Sequence, residues 1–138
     1  MAGYSGTPLP KKLGIKEGHQ IALIGAPDGF ASALELPGSV RVEEKPIGTL
    51  AYDVMVVFSP DLAALSGVFE RLVPTLTWAG GLWVAWPKRA SPLASDIIEA
   101  DVRAAGLSAG LVDNKICAID EDWSGLRFVH RRENRPKG

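Results

Sequence analysis

The sequence predicts an α/β fold, with a mostly parallel sheet of about six strands, helices on both faces and a closing antiparallel hairpin. Three observations carry that reading. Residues 20–25, 52–58 and 82–86 are short, almost continuously apolar runs, the pattern of strands covered by helices on both faces. Segments with helix-start signals follow each of them. The last two apolar segments, 111–119 and 126–131, are joined by residues 120–125, a connection with the length and composition of a hairpin loop.

Residues 3–16 hold Gly3, Gly6, Pro8, Pro10 and Gly14 with no helical or strand period. An irregular arm (1–16) is expected there, packed on the body through Tyr4, Leu9, Leu13 and Ile15. The first central strand ends at Gly25, and Asp28 then N-caps a short helix carrying Phe30, Ala31, Ala33 and Leu34, which Pro37 and Gly38 end. Residues 40–43 alternate apolar and polar side chains, as an edge strand or one with an exposed face does. The link 45–51 is shorter than the roughly twelve residues of a normal parallel crossover. Either it is extended and tight, or the strand at Val40 is short or antiparallel.

After the 52–58 strand, Ser59, Pro60 and Asp61 supply a capping hydroxyl, an N1 proline and a first-turn carboxylate. Leu62, Leu65, Phe69, Leu72 and Leu76 then step by three and four, which predicts one helix with a single buried stripe. Gly80 and Gly81 turn the chain into the 82–86 strand, which Pro87 ends. A further helix, capped by Ser91 or Ser95, carries Ile97, Ile98, Val102 and Ala105 to Gly106 as its C′ residue.

A chain of 138 residues, 46% of them hydrophobic, is long enough for one core and short for a second. A single domain over 1–138 is expected, with a frayed tail at 132–138. The net charge of −1 gives no global attraction to nucleic acid or anionic lipid. The one basic run, Arg127, His130, Arg131, Arg132, Arg135 and Lys137, reads as a solvated end, so nucleic acid is not an expected partner. Cys117 is the only cysteine, and His19 and His130 are far apart, so neither a disulfide nor a Cys/His metal site is expected. Between Ile116 and Ala118, Cys117 is expected to be buried and chemically quiet. No apolar run approaches the roughly 18 residues of a membrane span, and residues 1–12 carry no signal-peptide pattern. The expectation is a cytoplasmic protein with no membrane partner.

Open α/β sheets bind ligands beyond the carboxyl ends of their strands, where loops and helix N-termini converge. Three strands leave that edge through similar residues: Gly25-Ala26-Pro27, Ser59-Pro60 and Trp86-Pro87. The candidate rim is therefore Gly25, Ala26, Asp28, Gly29, Ser59, Pro60, Trp86 and Lys88, with Glu43 at its margin, and the N-terminal arm is expected to dock across it. The turn Gly25-Ala26-Pro27-Asp28-Gly29 stands where a dinucleotide fold carries G-x-G-x-x-G, with too few glycines at the wrong spacing. Pro27 has no N–H for a phosphate, and Asp28 places a carboxylate where an anion would sit. NAD, FAD and ATP are thereby disfavoured. Glu43, at the end of the next strand, is placed to accept from ribose hydroxyls or to be an exposed strand-end charge. P-loop, G-x-S-x-G and H-E-x-x-H patterns are absent from the sequence.

Several stretches, Gly3-Tyr4-Ser5-Gly6-Thr7-Pro8-Leu9, Lys11-Lys12-Leu13-Gly14-Ile15, Trp83-Val84-Ala85-Trp86-Pro87-Lys88, Leu111-Val112-Asp113-Asn114-Lys115 and Trp123-Ser124-Gly125-Leu126-Arg127-Phe128, together resemble a bacterial family of small proteins known as a domain of unknown function. More distantly, residues 53–58, 79–83 and the closing hairpin resemble the later half of class I S-adenosylmethionine-dependent methyltransferases. That resemblance implies a Rossmann-like, methyltransferase-type sheet and admits S-adenosylmethionine as cofactor. The glycine-rich first loop of those enzymes is missing here, as are the helices after their second strand. The expected function is a module that binds a small ligand or a protein partner without catalysis. The alternative is a methyltransferase-type enzyme binding S-adenosylmethionine or a nucleoside.

Overall fold

The structure is a computed structural model that describes residues 7–136. Its centre is one six-stranded sheet in the order β2-β1-β3-β4-β6-β5. β1 (Gln20–Ile24) lies between the parallel strands β2 (Arg41–Glu43) and β3 (Tyr52–Phe58), and β4 (Leu76–Pro87) runs parallel to β3. β6 (Trp123–His130) and β5 (Leu111–Ala118) complete the sheet as antiparallel neighbours. The fold is α/β with a C-terminal antiparallel hairpin, as the apolar runs predict, and its sheet is of the Rossmann-like, methyltransferase type that the resemblance implied. Among the described residues no helix is long and apolar enough to cross a membrane.

The central strands are apolar on both faces because each face has its own helical cover. On one face Leu65, Phe69 and Leu72 pack with Val102 against Met55, Val57, Val84 and Phe128. On the other, Leu13, Phe30 and Leu34 pack against Leu23, Val56, Phe58 and Trp83. The open question at Val40 is answered by a three-residue edge strand parallel to β1. Its link to β3 contains no helix, and Leu50 and Ala51 donate their N–H groups to the carbonyls of Pro74 and Thr75. It is a tight, bent link, with Gly48 at φ 96° and Leu50 at φ 50°, so the strand at Val40 is the short edge strand of the two alternatives, though parallel.

Several local expectations are corrected. The 62–76 stripe is not one helix but α3 (Leu62–Leu65), α4 (Val68–Leu72) and a 3-10 turn, Val73–Thr75. Gly67 at φ 81° breaks the first join, and Pro74, which has no N–H to continue the ladder, stops α4 and falls inside the 3-10 turn. Leu65, Phe69, Leu72 and Leu76 are buried all the same, while Leu62 is 40% exposed and Leu76 already belongs to β4. β4 therefore begins earlier than expected, with Gly80 and Gly81 inside it. Tyr52 pairs with Leu76 and Val54 with Gly81, so the intervening residues bulge outward.

α5 (Glu99–Ser108) starts after Ser91 and Ser95, with the Asp101 carboxylate accepting from the Ile98 N–H at 3.0 Å. Gly106 is inside it rather than at C′, since the helix runs on to the Ala109 cap and Gly110 takes the left-handed position at φ 89°; an added Cβ at Gly106 would strike the Phe128 ring.

The N-terminal segment is also more ordered than expected, since α1 (Leu9–Leu13) forms a short helix and Trp83 Nε1 donates to the Leu13 carbonyl at 3.1 Å. Tyr4 lies outside the described residues. At the other end, Arg132–Asn134 forms a 3-10 turn. The basic run is partly built in. His130 is buried, and Arg131 and Arg135 donate to the backbone carbonyls of Leu111 and His130. Lys137 is outside the described residues.

Candidate functional site

The strand order reverses at β1, whose neighbours β2 and β3 lie on opposite sides of it. In open α/β sheets, ligands bind beyond the carboxyl ends of the strands at such a reversal. Here β1 exits through Gly25 at φ 69°, so close to β3 that a Cβ on Gly25 would lie 3.4 Å from the Phe58 carbonyl oxygen. The chain then turns through Pro27 and Asp28 into α2 (Phe30–Ala33). Gly29 at φ 82° is the N-cap residue, and the Asp28 side chain makes no cap, contrary to the sequence expectation. A short turn with a left-handed residue suits glycine, and it leaves the Asp28 carboxylate exposed.

Two cavities flank this turn. One, of about 510 Å³, lies between the exits of β1 and β2 and holds Gly25, Ala26, Pro27, Asp28 and Gly29 with Ser32, Glu44 and Lys45 over an apolar floor of Leu23, Ile24 and Val42. The second, of about 770 Å³, lies on the other side of the same turn, where Pro27, Asp28 and Gly29 meet α1, α2 and the β5–β6 loop. Both volumes fall in the range of about 300–1,000 Å³ that small-molecule sites occupy. Thr7, Pro8, Leu9 and Pro10 line the second cavity. The described part of the N-terminal arm thus reaches the rim.

The remaining rim residues go elsewhere. The Glu43 carboxylate accepts from Tyr52 Oη at 2.9 Å and Gln20 Nε2 at 3.3 Å, and Tyr52 Oη accepts the Ile47 N–H at 3.1 Å. It is turned back along the sheet, and Glu44, one residue further on, reaches the crevice instead. Ser59 is fully buried, with its N–H donated to Ala85 O at 2.8 Å. Its Oγ is the one buried side-chain oxygen or nitrogen among the described residues without a hydrogen-bond partner. Asp61, not Ser59, caps α3, accepting from Ala64 N at 2.8 Å. Trp86 and Lys88 line a separate cavity of about 300 Å³ with Ile97 and Ile98. Ser59, Pro60, Trp86 and Lys88 share the carboxyl edge with Gly25 but line neither cavity of the β1 turn.

Thr7, Ser32, Glu35, Glu44, Lys45 and Asp120 are the cavity-lining polar residues outside the rim expected from the sequence. For Glu44 the adjacent Glu43-Glu44 pair was a signal, but its phase depends on where β2 stops. Cys117 is half-buried rather than buried. Desolvation pushes its thiol above the ordinary range, and the nearby Lys12 and Lys115 ammonium groups offset only part of that. Among the described residues no group of three His, Cys, Asp or Glu side chains is placed to hold a metal.

No family model matches the chain, and no curated protein matches it in sequence. Solved structures do. A S-adenosylmethionine-dependent methyltransferase from Aquifex aeolicus superposes with a TM-score of 0.67 at 14% identity, over 87% of this chain and 86% of that one. Fibrillarin from Aeropyrum pernix, solved with natively bound S-adenosyl-L-methionine, gives 0.61 at 15% identity over 92% and 70%. The 1,6-didemethyltoxoflavin-N1-methyltransferase of Burkholderia thailandensis, solved with S-adenosylhomocysteine, gives 0.56 at 12% identity over 87% and 73%. At these identities the likeness establishes the fold.

Proposed function

We propose that this chain is a cytoplasmic, methyltransferase-type domain that binds a phosphate-free adenosyl ligand, S-adenosylmethionine first among them, in the crevice between the β1 and β2 exits. We assign it, on the stretches of sequence described above, to the small bacterial family they resemble. The observation that carries the functional reading is the chemistry of the crevice. Its polar lining is the Asp28 and Glu44 carboxylates, the Lys45 ammonium and the Ser32 hydroxyl. Pro27 contributes no N–H, and the Phe30 N–H is turned back to the Pro27 carbonyl at 3.1 Å. Against a phosphate that lining sets two carboxylates to one cation, and neither Pro27 nor Phe30 offers it an N–H.

A nucleoside that carries positive rather than negative charge fits it. Glu44 is placed to accept from ribose hydroxyls, Asp28 to pair with an ammonium, and Leu23, Ile24 and Val42 to cover a base. Bound S-adenosylmethionine would supply an electrophilic methyl group. The fold of the structural neighbours supports this enzyme-type reading over the module without catalysis.

The test is calorimetric titration with S-adenosylmethionine, S-adenosylhomocysteine, NAD and ATP, repeated on Glu44→Ala. The adenosyl sulfur compounds are expected to bind and the phosphate compounds not to. Loss of a hydrogen bond to a charged group, about 1.5–3 kcal/mol, makes Glu44→Ala at least roughly tenfold weaker. Silence with every adenosyl compound would return the domain to the protein-binding reading.

A further inference from the structure

The larger cavity, across the β1 turn from the proposed nucleoside crevice, has a charge pattern of its own. Its walls are largely apolar, with Leu9, Phe30, Leu34 and Ile119 among them, and the three ionisable side chains that reach it, Asp28, Glu35 and Asp120, are all carboxylates. Neither Asp28 nor Glu35 gives its carboxylate to another described side chain or N–H group. Asp120 uses Oδ1 to accept from the N–H groups of Asp122 and Trp123, at 2.8 and 2.9 Å, which ties the β5–β6 loop and leaves Oδ2. Glu35 is also held at φ 50°, a left-handed conformation uncommon for a residue with a side chain.

We propose that this cavity is the site of a second ligand, an apolar amine. Its hydrocarbon or aromatic body packs against Phe30, Leu34 and Ile119, and its ammonium meets the carboxylates at the rim. The complementarity is specific in sign, because an anionic ligand of the same shape would face three carboxylates and no lining cation. Pro27, Asp28 and Gly29 line both this cavity and the nucleoside crevice, so the two ligands would lie on either side of one turn. The amine's binding does not rest on the function proposed above.

The experiment measures binding of phenylbutylamine, phenylbutanol and phenylbutyrate to the protein by calorimetry. The amine is expected to bind more tightly than the alcohol, and the carboxylate not at all. Asp28→Asn and Glu35→Gln are each expected to weaken the amine roughly two- to fivefold, the range of exposed ion pairs, and to leave the alcohol unchanged. Ala33 is exposed and lines this cavity but not the crevice, so Ala33→Phe fills the site without opening the core. It is expected to abolish amine binding while S-adenosylmethionine, titrated in parallel, is unaffected. Amine binding that ignores Ala33→Phe, equal binding of amine and carboxylate, or no amine binding overturns the proposal. The nucleoside titration stands or falls by its own result.

Discussion

β1 and β3 leave the same edge of the sheet through nearly the same residues, Gly25-Ala26-Pro27-Asp28 and Ser59-Pro60-Asp61, yet one exit is open and the other is sealed. At β3, Asp61 caps α3, Asp96 accepts the Leu62 N–H at 2.9 Å, and Ser95 Oγ donates to the Pro60 carbonyl. The segment before α5 is thereby fastened over the exit, and Ser59 is buried beneath. At β1, Asp28 makes no such bond among the described residues, and cavities lie on both sides of the turn. Proline and aspartate after a strand therefore do not mark a site by themselves. What decides is whether a later segment of the chain returns to cover them.

The contrast can be broken or sharpened by mutation. The largest effect is expected at Phe58, whose ring meets Phe30 and Trp123 edge-on at 5.1 and 5.0 Å and supports the sheet beneath the β1 and β3 exits. Phe58→Ala should lower unfolding free energy by about 3–5 kcal/mol, measured by denaturant titration. A loss below about 1 kcal/mol would mean that the aromatic group is not a shared support. Gly25→Ala at the open exit places a side chain at φ 69° and should cost about 1–2 kcal/mol, and a neutral result would show that the turn relaxes freely.

At the sealed exit, Ser59→Ala should run the other way. It removes a buried hydroxyl that lacks a partner, so a gain of roughly 1 kcal/mol is expected, and a loss would reveal a hydrogen bond made through water. The smallest effects test the two aspartates against each other. Asp61→Ala loses a helix cap and should cost about 1 kcal/mol, whereas Asp28→Ala should stay within about 0.5 kcal/mol. Equal losses at the two positions would erase the distinction between the exits.

The two core strands beside the β1 turn were legible because continuous apolar runs such as Ile21-Ala22-Leu23-Ile24 and Val54-Met55-Val56-Val57 have one economical use, a strand covered on both faces. The burial of Leu65, Phe69 and Leu72 was legible for the same reason, since spacing reports which side chains share a face. The break at Gly67 was not, because a glycine inside a helical pattern is often tolerated. The candidate site divided in the same manner. Gly25, Ala26, Asp28 and Gly29 follow directly from the end of β1, while Glu43 turned away because Tyr52 and Gln20, distant in the chain, came within hydrogen-bond reach of it.

Sequence alone therefore determined the α/β class, the parallel core, the closing hairpin and the edge at which the strands end, because these depend on local periodicity and on chain order. Tertiary structure decided which exit of that edge stayed open, which of two adjacent glutamates faces the crevice, and that three carboxylates line one apolar cavity. Those outcomes depend on how segments far apart in the chain are brought together, such as Ser95 onto the Pro60 carbonyl and the loop of Asp120 across one cavity from the turn of Asp28. A one-dimensional pattern carries the propensity of each segment but not the position of the segment that will cover it.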